Sequence, residues 1–135
     1  VEDTVSAATL ASAWTNLSNV APALGDWSGD GLADLAIGGG TNVITLISSV
    51  AGFSNVASGR IVSTLLVTNA TTAIPALARM GGNPRCDLFV LRDNGTVDWF
   101  PNTGNAATPF SGTNRIVNIL GTAVASATGL AVMLR

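Results

Sequence analysis

The chain repeats itself at a distance of 53 residues. Ala21-Pro22-Ala23-Leu24 is answered by Ile74-Pro75-Ala76-Leu77, Asp34-Leu35-Ala36-Ile37 by Asp87-Leu88-Phe89-Val90, and Val43-Ile44-Thr45-Leu46-Ile47 by Thr96-Val97-Asp98-Trp99-Phe100. After small length changes Phe53 answers to Phe110, and Gly59-Arg60-Ile61-Val62 to Asn114-Arg115-Ile116-Val117. A period near fifty residues marks an architecture in which one unit cannot bury its own apolar face and stacks on a neighbour. The division that follows is an arm or partial repeat over 1–19, a first repeat over 20–73, a degenerate second over 74–127, and the opening of a partial third at 128–135.

Each unit reads as strands and turns. Residues 43–47, 60–67, 87–92, 96–100 and 115–120 are rich in β-branched and aromatic side chains, and clusters of Gly, Asn, Asp and Pro separate them. Asp93-Asn94-Gly95 is the firmest turn, because an Asn-Gly pair supplies the positive φ angles of a tight hairpin. Residues 1–17 are rich in alanine, but Ser and Thr recur too often for a stable surface helix, so an extended arm or strand is expected.

Between two apolar segments of the first unit lies Asp26-Trp27-Ser28-Gly29-Asp30-Gly31-Leu32-Ala33-Asp34. Oxygen-bearing side chains stand at loop positions 1, 3, 5 and 9, and a glycine at position 6. A hard divalent cation takes roughly six to eight oxygen ligands, which a curled loop with donors at alternate positions can supply. The expected donors are Asp26, Ser28, Asp30, the backbone carbonyl of Leu32, and Asp34, with Gly31 permitting the curl.

On these residues the chain resembles the FG-GAP or VCBS repeats of integrin-α-like β-propellers and many secreted bacterial proteins. The resemblance rests on Leu24-Gly25-Asp26, the loop to Asp34, the segment Asp34-Leu35-Ala36-Ile37-Gly38, and the second-unit residues from Asp87 to Val90 and from Asp93 to Gly104. It covers residues 20–105 and implies an all-β fold of antiparallel, propeller-blade-like sheet repeats that bind Ca2+ in an extracellular, secreted or cell-surface setting. The second copy departs from the pattern. Arg79, Gly81, Asn83 and Pro84 stand where ligands and the turn glycine belong, and Arg79 is expected to pair with Asp87 in place of a metal.

Composition limits the function. The chain spans little more than two units, too few for a closed ring of about four to eight blades, so the ring is incomplete or completed between subunits. Only 10% of the residues are charged, and such a surface suits self-association into a homo-oligomer or filament. Six scattered arginines and a net charge of −2 argue against a nucleic-acid partner, and no apolar run is long enough for a membrane span. Histidine and lysine are absent, which removes the usual general base, the Schiff-base amine and any Cys-His pair, so an enzyme is not expected. With Cys86 as the sole thiol and no histidine, zinc lacks ligands.

Three sequons make Asn16, Asn69 and Asn94 possible glycosylation sites. Trp14, Trp27 and Trp99 could stack on sugar rings, and a solvent-facing Trp27 would favour a lectin. The expected function is therefore an extracellular calcium-binding structural or adhesion module that self-assembles. A propeller-type carbohydrate-binding lectin and an accessory domain of a larger secreted protein are the alternatives.

Overall fold

The computed structural model describes residues 20–49, 62–80, 82–112 and 114–116. The arm with Trp14 and Asn16, the segment with Phe53, and the expected third unit lie outside the described residues. The described residues form eight strands: β1 (Val20–Gly25), β2 (Asp34–Gly39), β3 (Val43–Ile47), β4 (Val62–Leu66), β5 (Ala73–Ala78), β6 (Asp87–Arg92), β7 (Val97–Phe100) and β8 (Asn114–Ile116). Every pairing is antiparallel, so the chain is all-β.

The strands form two successive meanders, β1 to β4 and β5 to β8, joined by a single bridge between Gly39 and Ala73. Their registers agree at a spacing of 53 residues. Val20 opposes Gly39 and Gly25 opposes Asp34 in the first, while Ala73 opposes Arg92 and Ala78 opposes Asp87 in the second. Leu35 opposite Ile47 likewise corresponds to Leu88 opposite Phe100. The agreement stops at the last strand: Ile44 pairs with Leu65, whereas Val97 pairs with Ile116. By register Ile116 thus corresponds to Leu65, four residues from the position given by the sequence match.

Strands β1 and β5 carry prolines, which cannot donate to a ladder. Pro22 faces Ile37 and Pro75 faces Val90. Among the described residues β1 pairs with β2 alone, and β5 pairs with β6 apart from the one bridge. A proline is tolerated on such a strand because its missing N–H falls on the unpaired side.

The β6–β7 hairpin is longer than a two-residue turn. Gly95 N donates to Arg92 O at 3.0 Å and Arg92 N to Thr96 O at 2.9 Å, and only Gly95, with φ 78°, takes the left-handed conformation. This is a three-residue loop with glycine at its bulge position.

Residues opposite one another in a pair share a sheet face, and alternate residues face opposite ways. One face of the first sheet, with Ala36, Ile44, Leu46 and Val67, packs on the face of the second that carries Ala73, Leu88, Val90 and Phe100. Trp27 and Phe110 complete this core. Close approach depends on small residues: a Cβ on Gly25 would stand 2.9 Å from Leu77 Cβ and from Cys86 Sγ. The opposite face of the second sheet holds a separate buried cluster of Ala76, Ala78, Phe89, Leu91 and Val97. Trp99 lies partly buried against it, stacked on Phe89 with centroids 6.4 Å apart.

Candidate functional site

The Asp26–Asp34 loop hangs between β1 and β2 and is anchored at both ends. Trp27 is 0% exposed and inserts its indole into the core between the sheets. Gly29 and Gly31 both have left-handed backbones, φ 88° and 86°, which a Cβ would strain. The curl assigned to Gly31 from the sequence is therefore present, and Gly29 shares it.

The three loop carboxylates are turned towards backbone N–H groups rather than towards one another. Asp26 accepts from Gly29 N at 2.6 Å and Gly31 N at 3.1 Å, and Asp30 accepts from Leu32 N at 2.8 Å. Asp34 is buried, with Oδ2 accepting from Trp27 N at 2.9 Å and Ser28 N at 2.7 Å. Its Oδ1 accepts from Ser49 N at 2.8 Å and lies 3.3 Å from Ser49 Oγ. Among the described residues no three His, Cys, Asp or Glu side chains gather into a metal-holding group. The local donors explain this arrangement, because a short loop supplies each carboxylate with its own N–H partners.

The loop's oxygen donors nonetheless suit a hard cation. Ser28 Oγ, at the third loop position, is buried without a hydrogen-bond partner. A carboxylate oxygen has two lone-pair sites, so Asp26 and Asp30 can accept an N–H and still offer an oxygen, whereas Asp34, with two donors on each oxygen, gains a free site only when the Ser49 hydroxyl, 3.3 Å from Oδ1, turns aside. Asp34 has a second role that the spacing did not suggest. Asn102 N donates to Asp87 Oδ1 at 2.8 Å, the same bond 53 residues along. Both aspartates thus tie the chain leaving their sheet's third strand to the start of its second.

Arg79 does not pair with Asp87. Asp87 is buried and accepts from Trp99 Nε1 at 3.0 Å as well as from Asn102 N, which leaves it no need of a cation. Arg79 instead reaches across to Asp26 at 4.0 Å, from a side chain that is more than half exposed. An exposed pair of this length contributes little to stability.

Further contacts join the loop to the second unit. Cys86 N donates to Asp26 O at 2.7 Å, and Asn102 Nδ2 donates to Trp27 O at 2.9 Å and to Cys86 O at 3.0 Å. The Arg85 guanidinium lies where a Cβ on Gly29 would sit, and it donates to Gly104 O. Sequence reasoning missed Arg85, Asn102 and Ser49. Only the 53-residue spacing of Ser49 and Asn102 could have drawn attention to that pair as aspartate partners, since towards Asp34 and Asp87 both act through a backbone N–H that any residue but proline supplies.

Cys86 is buried, and burial pushes its thiol above the ordinary range; the Asp26 charge adds to this against the opposing pull of Arg79. Native protein at pH 8 should react slowly with a thiol reagent and reach the free-cysteine rate only in denaturant. Equal rates in both would contradict the buried placement.

The remaining positions also take defined places. Asn69 is exposed with φ 57°, and Asn94 is exposed with its Oδ1 accepting from Thr96 N at 3.0 Å and Thr96 Oγ1 at 2.7 Å. Thr71 donates its hydroxyl to Asp93, which holds that carboxyl below its usual range and ties the two sequon-bearing turns together. Trp27, fully buried, offers no face to a sugar. No protein-family model, curated protein or solved structure matches the chain.

Proposed function

We propose that the chain is an extracellular, calcium-binding β-sheet module of structural or adhesive role, which works by packing against like units. The observation that carries this reading is the pair of meanders with one register, each presenting an apolar face that another sheet has to cover. The paired clamps of Asp34 and Asp87 support it, because they are the same device in both units. Asp26, Ser28, Asp30, the Leu32 carbonyl and Asp34 would hold the cation. Bound there, it would neutralise the loop's acids and cross-link the loop. The fold would still form without it, since Trp27 and Asp34 anchor the loop independently.

Calorimetric titration of the full chain with Ca2+ tests the metal. An affinity on the order of 10⁻⁴–10⁻³ M is expected, as for extracellular calcium modules. At ten times its dissociation constant the ion would add about 1.4 kcal/mol by mass action, a rise of roughly 5 °C in melting temperature. Asp30→Ala removes an exposed ligand that, among the described residues, is bonded to Leu32 N alone, so it should abolish binding while leaving the calcium-free melt unchanged. A parent chain that melts alike in Ca2+ and in chelator would sink the metal reading.

A further inference from the structure

The Asp26–Asp34 loop has a cation of the chain's own beside it. Arg79 follows Asp26 at the 53-residue spacing, so it holds in the second unit the place that the first loop acid holds in the first. Its Nη2 lies 4.0 Å from Asp26 Oδ2, an oxygen that among the described residues otherwise accepts only from Gly31 N at 3.1 Å. The Arg79 side chain is 59% exposed and that of Asp26 only 11%, so the acid is fixed in place while the guanidinium can swing into water. It also stands beside the Cys86 thiol. Arg85, the other guanidinium at the loop, is placed differently. It packs against Gly29 and donates to Gly104 O, and among the described residues it forms no ion pair with a loop acid.

We infer that Arg79 sets the calcium affinity of the loop, acting as an internal cation that competes with the ion for Asp26. This rests on the calcium reading above, which makes Asp26 a ligand. A divalent ion held by Asp26 comes close to a positive charge already paired with the same carboxylate, and the two repel. Binding is weakened by that repulsion, or by the loss of the ion pair when the guanidinium moves away. Water and salt screen an arginine this exposed, so the effect is a few-fold rather than all-or-none. The competition also couples the site to the second unit. By linkage, whatever draws Arg79 towards Asp26 weakens calcium binding, and calcium binding loosens this tie between the units by the same factor.

Calorimetric titration of the full chain with Ca2+, in about 20 mM and again in about 1 M NaCl, reads the competition in the parent, Arg79→Gln and Arg79→Lys. In low salt Arg79→Gln should bind about three- to tenfold tighter than the parent, while Arg79→Lys, which keeps the charge, should stay within about twofold of it. In high salt, where the screening length falls to about 3 Å, the gap between Arg79→Gln and the parent should close, a response that a merely structural role would not give. Melts in chelator establish folding, and loss of so exposed a pair should leave them near the parent's. Parental or weaker affinity in Arg79→Gln, equal tightening in Arg79→Lys, or a gap undiminished in high salt would overturn the role of Arg79 and leave the calcium reading standing. If neither the parent nor Arg79→Gln binds Ca2+, the calcium reading falls and this inference with it.

Discussion

Asp34→Ala should cost on the order of 4 kcal/mol in chelator, with no calcium present, out of the 5–15 kcal/mol that holds a domain of this kind together. The carboxylate is fully buried and satisfies Trp27 N, Ser28 N and Ser49 N, so its removal strands three donors that water cannot easily reach. Asp34→Asn keeps one acceptor oxygen but turns an amide NH2 towards N–H groups, and should cost about half as much. Asp87→Ala should resemble Asp34→Ala, because Asn102 N and Trp99 Nε1 lose their acceptor in the same way. The midpoint of urea denaturation measures all three. This separates the two roles proposed for the loop acids: Asp30→Ala is expected to change calcium affinity alone, Asp34→Ala to destabilise the chain whether or not calcium is added. If Asp34→Ala kept the parent midpoint in chelator, the carboxylate would be no clamp and its value would lie in the metal.

The second large effect concerns the seam between the sheets. A Cβ on Gly38 would stand 2.5 Å from Ile44 Cδ1, 3.0 Å from Pro75 Cδ, and closer still to the Ala73 carbonyl oxygen. Side chains can turn aside, but a backbone carbonyl on β5 cannot move without carrying its strand off the first sheet. Gly38→Val should therefore cost at least about 3 kcal/mol, at the upper end of overpacking effects, and lower the melting temperature by roughly 10 °C. Gly104→Ala is the fitting comparison. Its φ is 82° but nothing lies near the new Cβ, so only backbone strain of about 1 kcal/mol is expected. A Gly38→Val melt no lower than that of Gly104→Ala would show that β5 does not rest on β2 as described.

How far the sequence led depends on which atoms do the work. The β6–β7 hairpin was legible because Gly95 is needed for its left-handed angle, although Asn94 was wrongly expected to share it. Strands β1 and β5 were recognised as recurring flanks but not as strands. Pro22 and Pro75 argue against a central strand, and only the sheet order reveals that both lie where a ladder ends. The four-residue displacement of β8 was invisible for a different reason: an even shift keeps each side chain on the same face, so the apolar pattern fits both registers. At the loop, the residue types gave the glycine curl and the candidate oxygens. They could not give the direction of Trp27 or the partner of Arg79, since both follow from how the two units meet. Asp34 was legible as a candidate ligand but not as a clamp, because a carboxylate looks the same in a sequence whether or not it accepts three peptide N–H groups.

The prolines of β1 and β5 bear on how such sheets can multiply. An exposed strand edge invites another strand to zip onto it, residue by residue, and that is the route to amyloid. Among the described residues no strand pairs with the other side of β1; there Pro22 leaves a gap in the row of donors, and an incoming chain would find its ladder broken at the middle of a six-residue strand. Pro75 repeats the interruption on β5. Growth along the hydrogen-bonding direction is thereby discouraged at the very strands whose side chains are small enough to let sheets approach. On the self-association proposed above, the chain would add layers more readily than width, which would let it be apolar and weakly charged without being sticky at its seams.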